Sequence, residues 1–553
     1  MPRFSSAALQ KSLQTWKNQP ELKRLLLLTA IFFGFMLVFS LNRYYSFYAS
    51  YDQGIFNQVF WNNLHGRFFQ SSLTNGISIG VTEDGKIPGV SFLHLAHHFV
   101  PDFLLWLPIY ALFPAPVTLV VLQVSLMTAG GLMLYALARH YLQPELSLMI
   151  TASYFGAIAV IGPTFANFYE HCQIPLFTFG LLLAMEKQRW WVFWVLTGLV
   201  LGIREDAGFM LFSIGLYLLF SRRHPRIGLL LCLLSFSYVT IITNLLIPRF
   251  SDSDDVSRMH LANRFRQFVQ GNPDPSTLQV LWGMVTHPIE VLVSLFTPFD
   301  RRLFYLFRQW LPLAFVPAVS PSAWVLAGVP LLSLFLQSGK SALGITLRYS
   351  LVVIPGLFYG AILWWSAHSE RFKPRFRRLW KGCIALSIVF AIAANPNRAF
   401  SFLIPDSFGP WVHVPLTAQW QHASIIQRQI RAIPPAASVS TTTYVVPHLS
   451  SRREVLRLPL MQIRNDQQEV VDMDYLLADL WQLEKYQIAF PFEREQLQRI
   501  VPLFDTLLKQ NQYGILSIED KVILLQKGVP SKPDLLIAWN NLWQEYQPIL
   551  HGK

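Results

Sequence analysis

The sequence predicts a polytopic all-α membrane domain followed by a small soluble α/β domain. Of the 553 residues, 52% are hydrophobic and only 14% are charged, whereas about 25% are charged in an ordinary soluble domain. Long apolar runs recur from residue 25 to about residue 395 and then stop. The net charge of +13 lies mainly in short loops between these runs, which indicates contact with anionic lipid and not with nucleic acid.

The distribution of basic residues sets an expected topology. A basic cytoplasmic segment, residues 1–24, precedes the first span, and the dense basic loop 371–381 is then also cytoplasmic. This order exports the C-terminal domain, residues 396–553, from the plasma (inner) membrane. About eleven spans are predicted, at 25–41, 117–138, 147–163, 174–186, 190–203, 207–220, 226–247, 303–319, 322–337, 349–366 and 380–395.

Between the spans of the membrane domain, residues 25–395, two long loops are predicted on the outer side of the membrane. The first, 42–100, contains the polar island Tyr51–Gly54 and an aromatic stretch with the spacing of a helix lying along the membrane surface. The second, 249–285, is polar and carries three aspartates: Asp252, Asp254 and Asp255. Two short apolar segments, 101–113 and 287–299, are expected to be interfacial or re-entrant because they are too short to span.

The C-terminal domain shows alternating helical and strand patterns. Helices are predicted at 419–433 and 493–512, β-structure at 437–443 and 474–480, and a hairpin over 514–526 that turns at 519–520. No glycine-rich phosphate fingerprint opens any of these helices, so nucleotide binding is not favoured. The three cysteines are scattered, without the spacing of a metal site.

Two acidic residues are expected at the outer membrane face. Asp52 follows the first span closely, and Glu170 lies in the sequence Asn-Phe-Tyr-Glu-His just before a later span. Together they could bind a divalent cation, Mg or Mn, through oxygen ligands, or one could act as a base toward an acceptor hydroxyl. Capping of the following helix by Glu170 is the structural alternative.

Further ionisable residues lie where burial in the membrane is costly. The triplet Arg204-Glu205-Asp206 separates two apolar runs, and a site role is favoured over an ion pair that fixes a tight helical hairpin. Four arginines near outer span ends could bind phosphate or reach into lipid headgroups: Arg301, Arg302, Arg308 and Arg348. Three histidines are expected to contact lipid phosphate rather than zinc: His94, His97 and His98.

Three long motifs in order carry a family resemblance. They are YDQGIFNQVFWNNLHGRFF, HHFVPDFLLWLPIYALFPAPVTLVVLQ and IREDAG. On these motifs the chain resembles the predicted membrane protein family of unknown function DUF2079, over about residues 45 to 450. Members often carry a Phe-His-acid motif where this chain has NFYEH, which leaves the individual roles of Tyr169 and His171 open. The family in turn is similar to the class C glycosyltransferases.

This second resemblance implies a class C fold and transfer of a sugar from a polyprenyl-phosphate donor at the outer membrane face. In that class one catalytic acid lies soon after the first span and a second lies in the next outer loop. Asp52 and Glu170 occupy these places, and the implied partners are membrane lipids and the lipid-linked sugar. The residues predicted to bind substrate are Arg204, Asp206, Arg348, His98 and Gln58, with Arg204 and Arg348 on the leaving phosphate.

Two other classes of function stay open on the sequence. A transporter or flippase would bind a lipid-linked head without reaction, although few charges lie in the middle of the predicted spans. A membrane assembly protein would use its exported domain to recruit partners.

Overall fold

A computed structural model of the chain describes residues 20–251, 264–269, 271–272, 275–339 and 341–550. The predicted aspartates of the second outer loop and most of the N-terminal basic segment lie outside these residues. Helices dominate up to residue 393, and a mixed α/β region follows. The helices of the first part are Pro20–Tyr45, Tyr51–Leu64, Ser72–Asn75, Ile79–Thr82, Phe103–Leu112, Pro116–Tyr141, Pro144–Phe155, Ile158–Thr164, Ile174–Glu186, Trp190–Ile203, Gly208–Phe220, Pro225–Ile241 continuing to Phe250, Thr277–Thr286, Pro288–Phe296, Phe299–Trp310, Val316–Val319, Pro321–Phe335, Ile354–Ala367 and Pro374–Ala393.

The predicted count of about eleven spans is not confirmed. By length and composition, four helices of the described residues can cross a membrane, or six if each of two bent pairs forms one span. The helices Ile174–Glu186 and Trp190–Ile203 have 13 and 14 residues. At 1.5 Å per residue they reach only about 20 Å, which is less than the thickness of a hydrocarbon core of about 30 Å.

The two bent pairs explain further differences from the expected spans. The predicted span 147–163 is broken by a 50° bend between Pro144–Phe155 and Ile158–Thr164. The predicted interfacial segment 287–299 forms a helix that is bent by 95° from Thr277–Thr286. The other predicted interfacial segment, 101–113, forms the short apolar helix Phe103–Leu112, as expected for a segment that does not span.

The C-terminal region contains a small sheet, as predicted. Its helices are Leu416–Arg431, Val446–Leu449, Leu480–Gln487, Pro491–Lys509 and Pro533–Leu550. Its central sheet has five strands in the spatial order Val455–Arg457, Val439–Thr441, Tyr475–Asp479, Val522–Lys527 and Tyr513–Glu519. The first three strands are parallel and the last two are antiparallel. Two short two-stranded ladders complete the region: Ser407–Phe408 with Trp411–Val412, and Gln462–Arg464 with Val470–Asp472.

The predicted hairpin over 514–526 is present. Its turn consists of Asp520 and Lys521, which have φ angles of +46° and +61°. Positive φ at both central residues matches the right-handed twist of the flanking strands. The turn predicted at 519–520 therefore lies within one residue of its position in the structure.

The helix Tyr51–Leu64 joins the membrane domain to the C-terminal region. Gly54 lies so close to Val446 that a Cβ atom on it would be 2.6 Å from the valine Cγ1. The Asn57 side-chain amide donates to the hydroxyls of Ser450 and Ser451 at 2.9 and 3.0 Å. The polar side of this helix is thus buried against residues almost 400 positions later in the chain.

Gln58 belongs to the same interface, which corrects its predicted role in substrate binding. Its amide nitrogen donates to the Ser72 hydroxyl and the Arg453 carbonyl, at 2.9 and 3.1 Å. Its amide oxygen accepts from the Ser71 hydroxyl and the Leu73 amide, at 2.8 and 3.1 Å. Both ends of this fully buried amide are occupied by protein, so it has no free group for a substrate.

Replacement of Gly54 by valine tests the importance of this close contact. The new side chain must displace Val446, and overpacking of this kind costs about 1–3 kcal/mol. We expect Gly54→Val to lower the thermal midpoint of the purified protein and to speed proteolytic release of the C-terminal region. Gly34→Val is the matched control, because a Cβ there meets nothing within 4 Å. Equal effects of the two changes would contradict the proposed interface.

A charged triad fastens the hairpin turn to the helix Leu416–Arg431. The His422 imidazole lies between two carboxylates, with Nε2 3.0 Å from Asp479 and Nδ1 2.8 Å from Asp520, and it stacks on Trp481. Burial disfavours the charged ring, but the two carboxylates outweigh burial and raise the pKa of His422. The protonated ring therefore stabilises the folded region.

This triad predicts that the C-terminal region loses stability as pH rises. Because the folded pKa is raised, the contribution is complete below the ordinary histidine pKa of about 6.5 and is lost as pH passes the folded value. We expect the thermal midpoint to fall between mildly acidic and alkaline pH, and His422→Gln to flatten that dependence. The measurement is a set of melting curves across pH. His413→Gln, a partly exposed histidine of the same region, should keep the wild-type slope.

Candidate functional site

A fully buried arginine lies at the centre of the membrane-domain polar cluster. Arg204 follows the helix Trp190–Ile203, and its guanidinium has no exposure to solvent. It donates to Glu170 at 2.9 Å and to Glu205 at 3.2 Å, and it lies 3.6 Å from Asp206. Burial of an isolated cation is very costly. The three carboxylates compensate for the buried charge of Arg204.

Glu170 is held as a carboxylate by its surroundings. It is 1% exposed, on the short helix Glu170–Gln173 that precedes Ile174–Glu186. Nδ1 of His171 lies 3.2 Å from it, without the alignment of a hydrogen bond. Burial would raise the pKa of Glu170, but contact with His171 and the charges of His171 and Arg204 outweigh it and hold the pKa well below its usual range.

The pKa values of Asp206 and Glu205 are shifted in opposite directions. Burial acts against both charged forms, yet Arg204 and His171 lower the pKa of Asp206 below its ordinary value. The pKa of Glu205 is raised, because burial and the neighbouring Asp206 outweigh Arg204. Burial disfavours the charged ring of His171, but Asp206, which lies 3.7 Å from Nε2, and Glu170 outweigh burial and raise the pKa of His171. The cluster therefore combines one strong and one weak carboxylic acid.

His98 is attached to this cluster. Its Nδ1 lies 2.8 Å from Glu205, whose second oxygen accepts from the backbone amide of Phe99 at 3.1 Å. Burial and the nearby cations hold the pKa of His98 well below its ordinary value. The ring is therefore neutral, and the Nδ1 proton is donated to Glu205.

Asp52 forms a second polar group beside the first. Its Oδ2 accepts a hydrogen bond of 2.7 Å from the Tyr169 hydroxyl and lies 3.6 Å from the Arg348 guanidinium. That guanidinium lies over the rings of Tyr169 and Tyr349, 4.3 and 5.0 Å from their centroids. With 35% of its side chain exposed, Asp52 is far more accessible than Glu170.

A polar cavity of about 100 Å³ borders the Arg204 cluster. Its polar lining includes His97, His98, Glu205, Asp206 and Arg264. A smaller cavity continues from Asp206 and Arg264 to Tyr349, the residue that supports Arg348. These side chains come from four separate stretches of the chain, and the fold brings them to one place.

An apolar cavity of about 340 Å³ adjoins the polar one. It lies among the helices Gly208–Phe220, Pro225–Ile241, Thr277–Thr286 and Pro321–Phe335. The two cavities share five lining residues: Phe209, Val239, Phe265, Thr277 and Ser333. A cavity with charged lining residues therefore lies directly beside an apolar cavity.

Several predicted site residues lie in other settings. His94 is buried, and its Nδ1 lies 2.9 Å from the Thr74 hydroxyl. Burial lowers its pKa to about 4, so it is a neutral core residue and not a contact for lipid phosphate. Arg302 donates to the Phe335 carbonyl at 2.7 Å, and Arg308 lies over the Phe304 ring.

The structure also identifies residues that sequence reasoning missed. Arg264 is the cation that lines the polar cavity, whereas the sequence directed attention to aspartates in the same loop. The basic pair Arg264 and Arg266 in a polar loop was the available signal. Tyr169 and Tyr349 support Arg348 and Asp52, but isolated tyrosines beside an apolar run carry no distinctive pattern.

The two acids predicted to hold a divalent cation, Asp52 and Glu170, each lie beside an arginine. Within the described ranges, no group of three or more His, Cys, Asp or Glu side chains is arranged to hold a metal ion. The Asp52 carboxylate contacts Tyr169 and Arg348. The Glu170 carboxylate contacts Arg204 and His171. A divalent cation would have to compete with an arginine at each acid.

Among solved structures, the chain has a distant likeness to a membrane protein. The crystal structure of ArnT from Cupriavidus metallidurans bound to undecaprenyl phosphate matches with a TM-score of 0.46 and 11% sequence identity. The match covers 90% of this chain and 97% of that one. A likeness of this size leaves the function of the present chain to be argued from its own residues.

Comparison by sequence gives a family. None of the curated proteins matches the chain. The family model described as "Predicted membrane protein (DUF2079)" matches residues 43–524, a range that includes the helix Tyr51–Leu64, the Arg204 cluster and most of the central sheet. The chain therefore belongs to the DUF2079 family of predicted membrane proteins.

Proposed function

We propose that this membrane protein is a glycosyltransferase of class C type that transfers a sugar from a polyprenyl-phosphate donor. The observation that carries the proposal is the pair of adjoining cavities, one with charged lining residues and one apolar. A lipid-linked sugar has the same division of chemistry, since its hydroxyls and phosphate are polar and its isoprenoid tail is apolar.

Each of the two cavities suits one part of this donor. The carboxylates of Glu205 and Asp206 can accept hydrogen bonds from sugar hydroxyls. Arg264 offers a planar fork of donors, the geometry that matches phosphate oxygens. The apolar cavity, lined by residues such as Phe212 and Leu332, takes the first isoprene units, and burial of apolar surface favours their binding.

Asp52 is the proposed general base. Its carboxylate takes the proton from the acceptor hydroxyl, and the resulting oxygen attacks the anomeric carbon of the donor. The bond between that carbon and the phosphate oxygen breaks, and the electron pair leaves with the polyprenyl phosphate. Tyr169 and Arg348 orient the carboxylate, and its partial exposure leaves room for the acceptor.

The leaving phosphate is stabilised by Arg264 and Arg348 in this proposal. Arg204, predicted to share that role, has no exposed surface and is enclosed by three acids. We assign it a positioning role, in which it fixes Glu205 and Asp206 at the cavity wall. Glu170 acts through Arg204 in the same way, and no step requires a metal ion.

We also propose that the site faces the outer side of the plasma membrane. Helix Pro20–Tyr45 reaches the site end through Arg43, which donates to the Asn397 carbonyl at 2.6 Å. Its other end lies at the basic residues that the positive-inside rule places in the cytoplasm. The C-terminal region docks at the site end and is then outside the cell.

Replacement of Asp52 by asparagine tests the proposed base. Removal of a general base reduces rates by about 100- to 10,000-fold, so we expect such a fall in kcat for Asp52→Asn with little change in donor affinity. The assay follows transfer of radiolabelled sugar from polyprenyl phosphate by the purified protein. Asp84→Asn is the control, since Asp84 is an exposed acid of the same outer segment.

Undiminished transfer by Asp52→Asn would sink the assignment of the base. If the wild-type protein binds the lipid but never turns it over, the glycosyltransferase proposal fails and the transporter or flippase alternative takes its place.

Replacement of Arg264 by glutamine tests the donor site separately. A charge-assisted hydrogen bond contributes about 1.5–3 kcal/mol, so we expect the KM for the lipid donor to rise about 10- to 100-fold. Arg266→Gln is the control on the same short segment, because Arg266 is exposed and does not line the cavity. An unchanged KM in Arg264→Gln would contradict the phosphate role.

A further inference from the structure

A further cavity lies at the end of the membrane domain opposite the Arg204 cluster. Its volume is about 580 Å³, and it lies among the helices Pro20–Tyr45, Pro144–Phe155 and Pro374–Ala393. On the first of these helices Arg24 lines the cavity, whereas Arg43 contacts the site end. At 1.5 Å per residue the two arginines are roughly 28 Å apart, about the thickness of a hydrocarbon core.

Three cations and one acid line the mouth of this cavity: Arg24, Arg377, Lys381 and Glu145. Arg377 pairs with Glu145 at 2.6 Å and packs over the Phe372 ring at 4.4 Å, so its guanidinium is fixed in place. In the part of the chain that the structure describes, Arg24 and Lys381 have no acidic partner. The mouth therefore carries an uncompensated positive charge.

Each of the three helices changes from polar to apolar lining within one or two turns. Leu28 follows Arg24 by four residues, and Ile384 follows Lys381 by three. On the middle helix Met149 and Ala152 follow Glu145 by four and seven residues. Residues at these spacings lie on one face of a helix, so the lining is charged at the mouth and apolar deeper in.

We propose that this cavity binds an anionic phospholipid, with its phosphate head on the cations and an acyl chain along the apolar wall. Basic pockets between membrane helices recognise acidic lipid heads by the same combination. A free phosphate ion would use the mouth but not the wall, so the apolar wall favours a lipid. This site is separate from the proposed donor site and does not depend on the proposed activity.

The test measures lipids retained by the purified protein in native mass spectrometry. After exposure to tetraoleoyl cardiolipin or dioleoyl phosphatidylcholine, wild-type protein should retain the anionic lipid preferentially. The double variant R24Q/K381Q should retain about 30-fold less cardiolipin, the effect of two charges at a membrane surface. The matched control is R375Q/R378Q, which removes two exposed charges from the same helix that do not line the cavity.

A second variant tests the apolar wall without altering charge. Ala152→Phe fills the deeper part of the cavity and should also reduce cardiolipin retention, whereas millimolar inorganic phosphate should not displace the lipid. Equal retention by wild type and R24Q/K381Q, an equal loss in the control variant, or displacement by phosphate would each overturn the proposal. Thermal midpoints of all variants show whether any loss reflects misfolding.

Discussion

Arg204 is a cation without access to solvent, and much of the polar architecture compensates for it. Its three carboxylate partners come from two segments, one before the helix Ile174–Glu186 and one directly after Arg204 itself. Removal of Arg204 would leave the acids around it without their shared cation, and an uncompensated buried charge costs several kcal/mol. The ion cluster thus holds the adjacent helix ends in place, and with them the cavity-wall residues Glu205 and Asp206.

The same cluster has features of both sequence interpretations of the triplet. The triplet Arg204-Glu205-Asp206 forms the ion pair expected of a structural hairpin. It also borders a cavity through Glu205 and Asp206, as expected of a site. A sequence cannot separate these readings, because the third acid lies 34 positions away and only the fold brings it to Arg204.

Local patterns predicted the C-terminal region well, and long-range contacts account for the errors elsewhere. The hairpin, the helix Pro491–Lys509 and the central strands follow from turn residues and periodicity within short windows. The span count is not confirmed, because several apolar runs form helices of only 13 or 14 residues. Gln58 was misassigned because its five hydrogen-bond partners lie 13 to 395 positions away, and no short window contains them.

The helix that carries Asp52 has a consequence for the order of biosynthesis. Asn57 finds its partners at Ser450 and Ser451, which are made 393 and 394 residues later. Domains generally form as the chain emerges from the ribosome, N-terminal parts first, but Asn57 gains these partners only after Ser451 has been made. The C-terminal region is therefore a late partner within one molecule, and the contacts around the helix of Asp52 stay incomplete in the nascent chain until that region has been made.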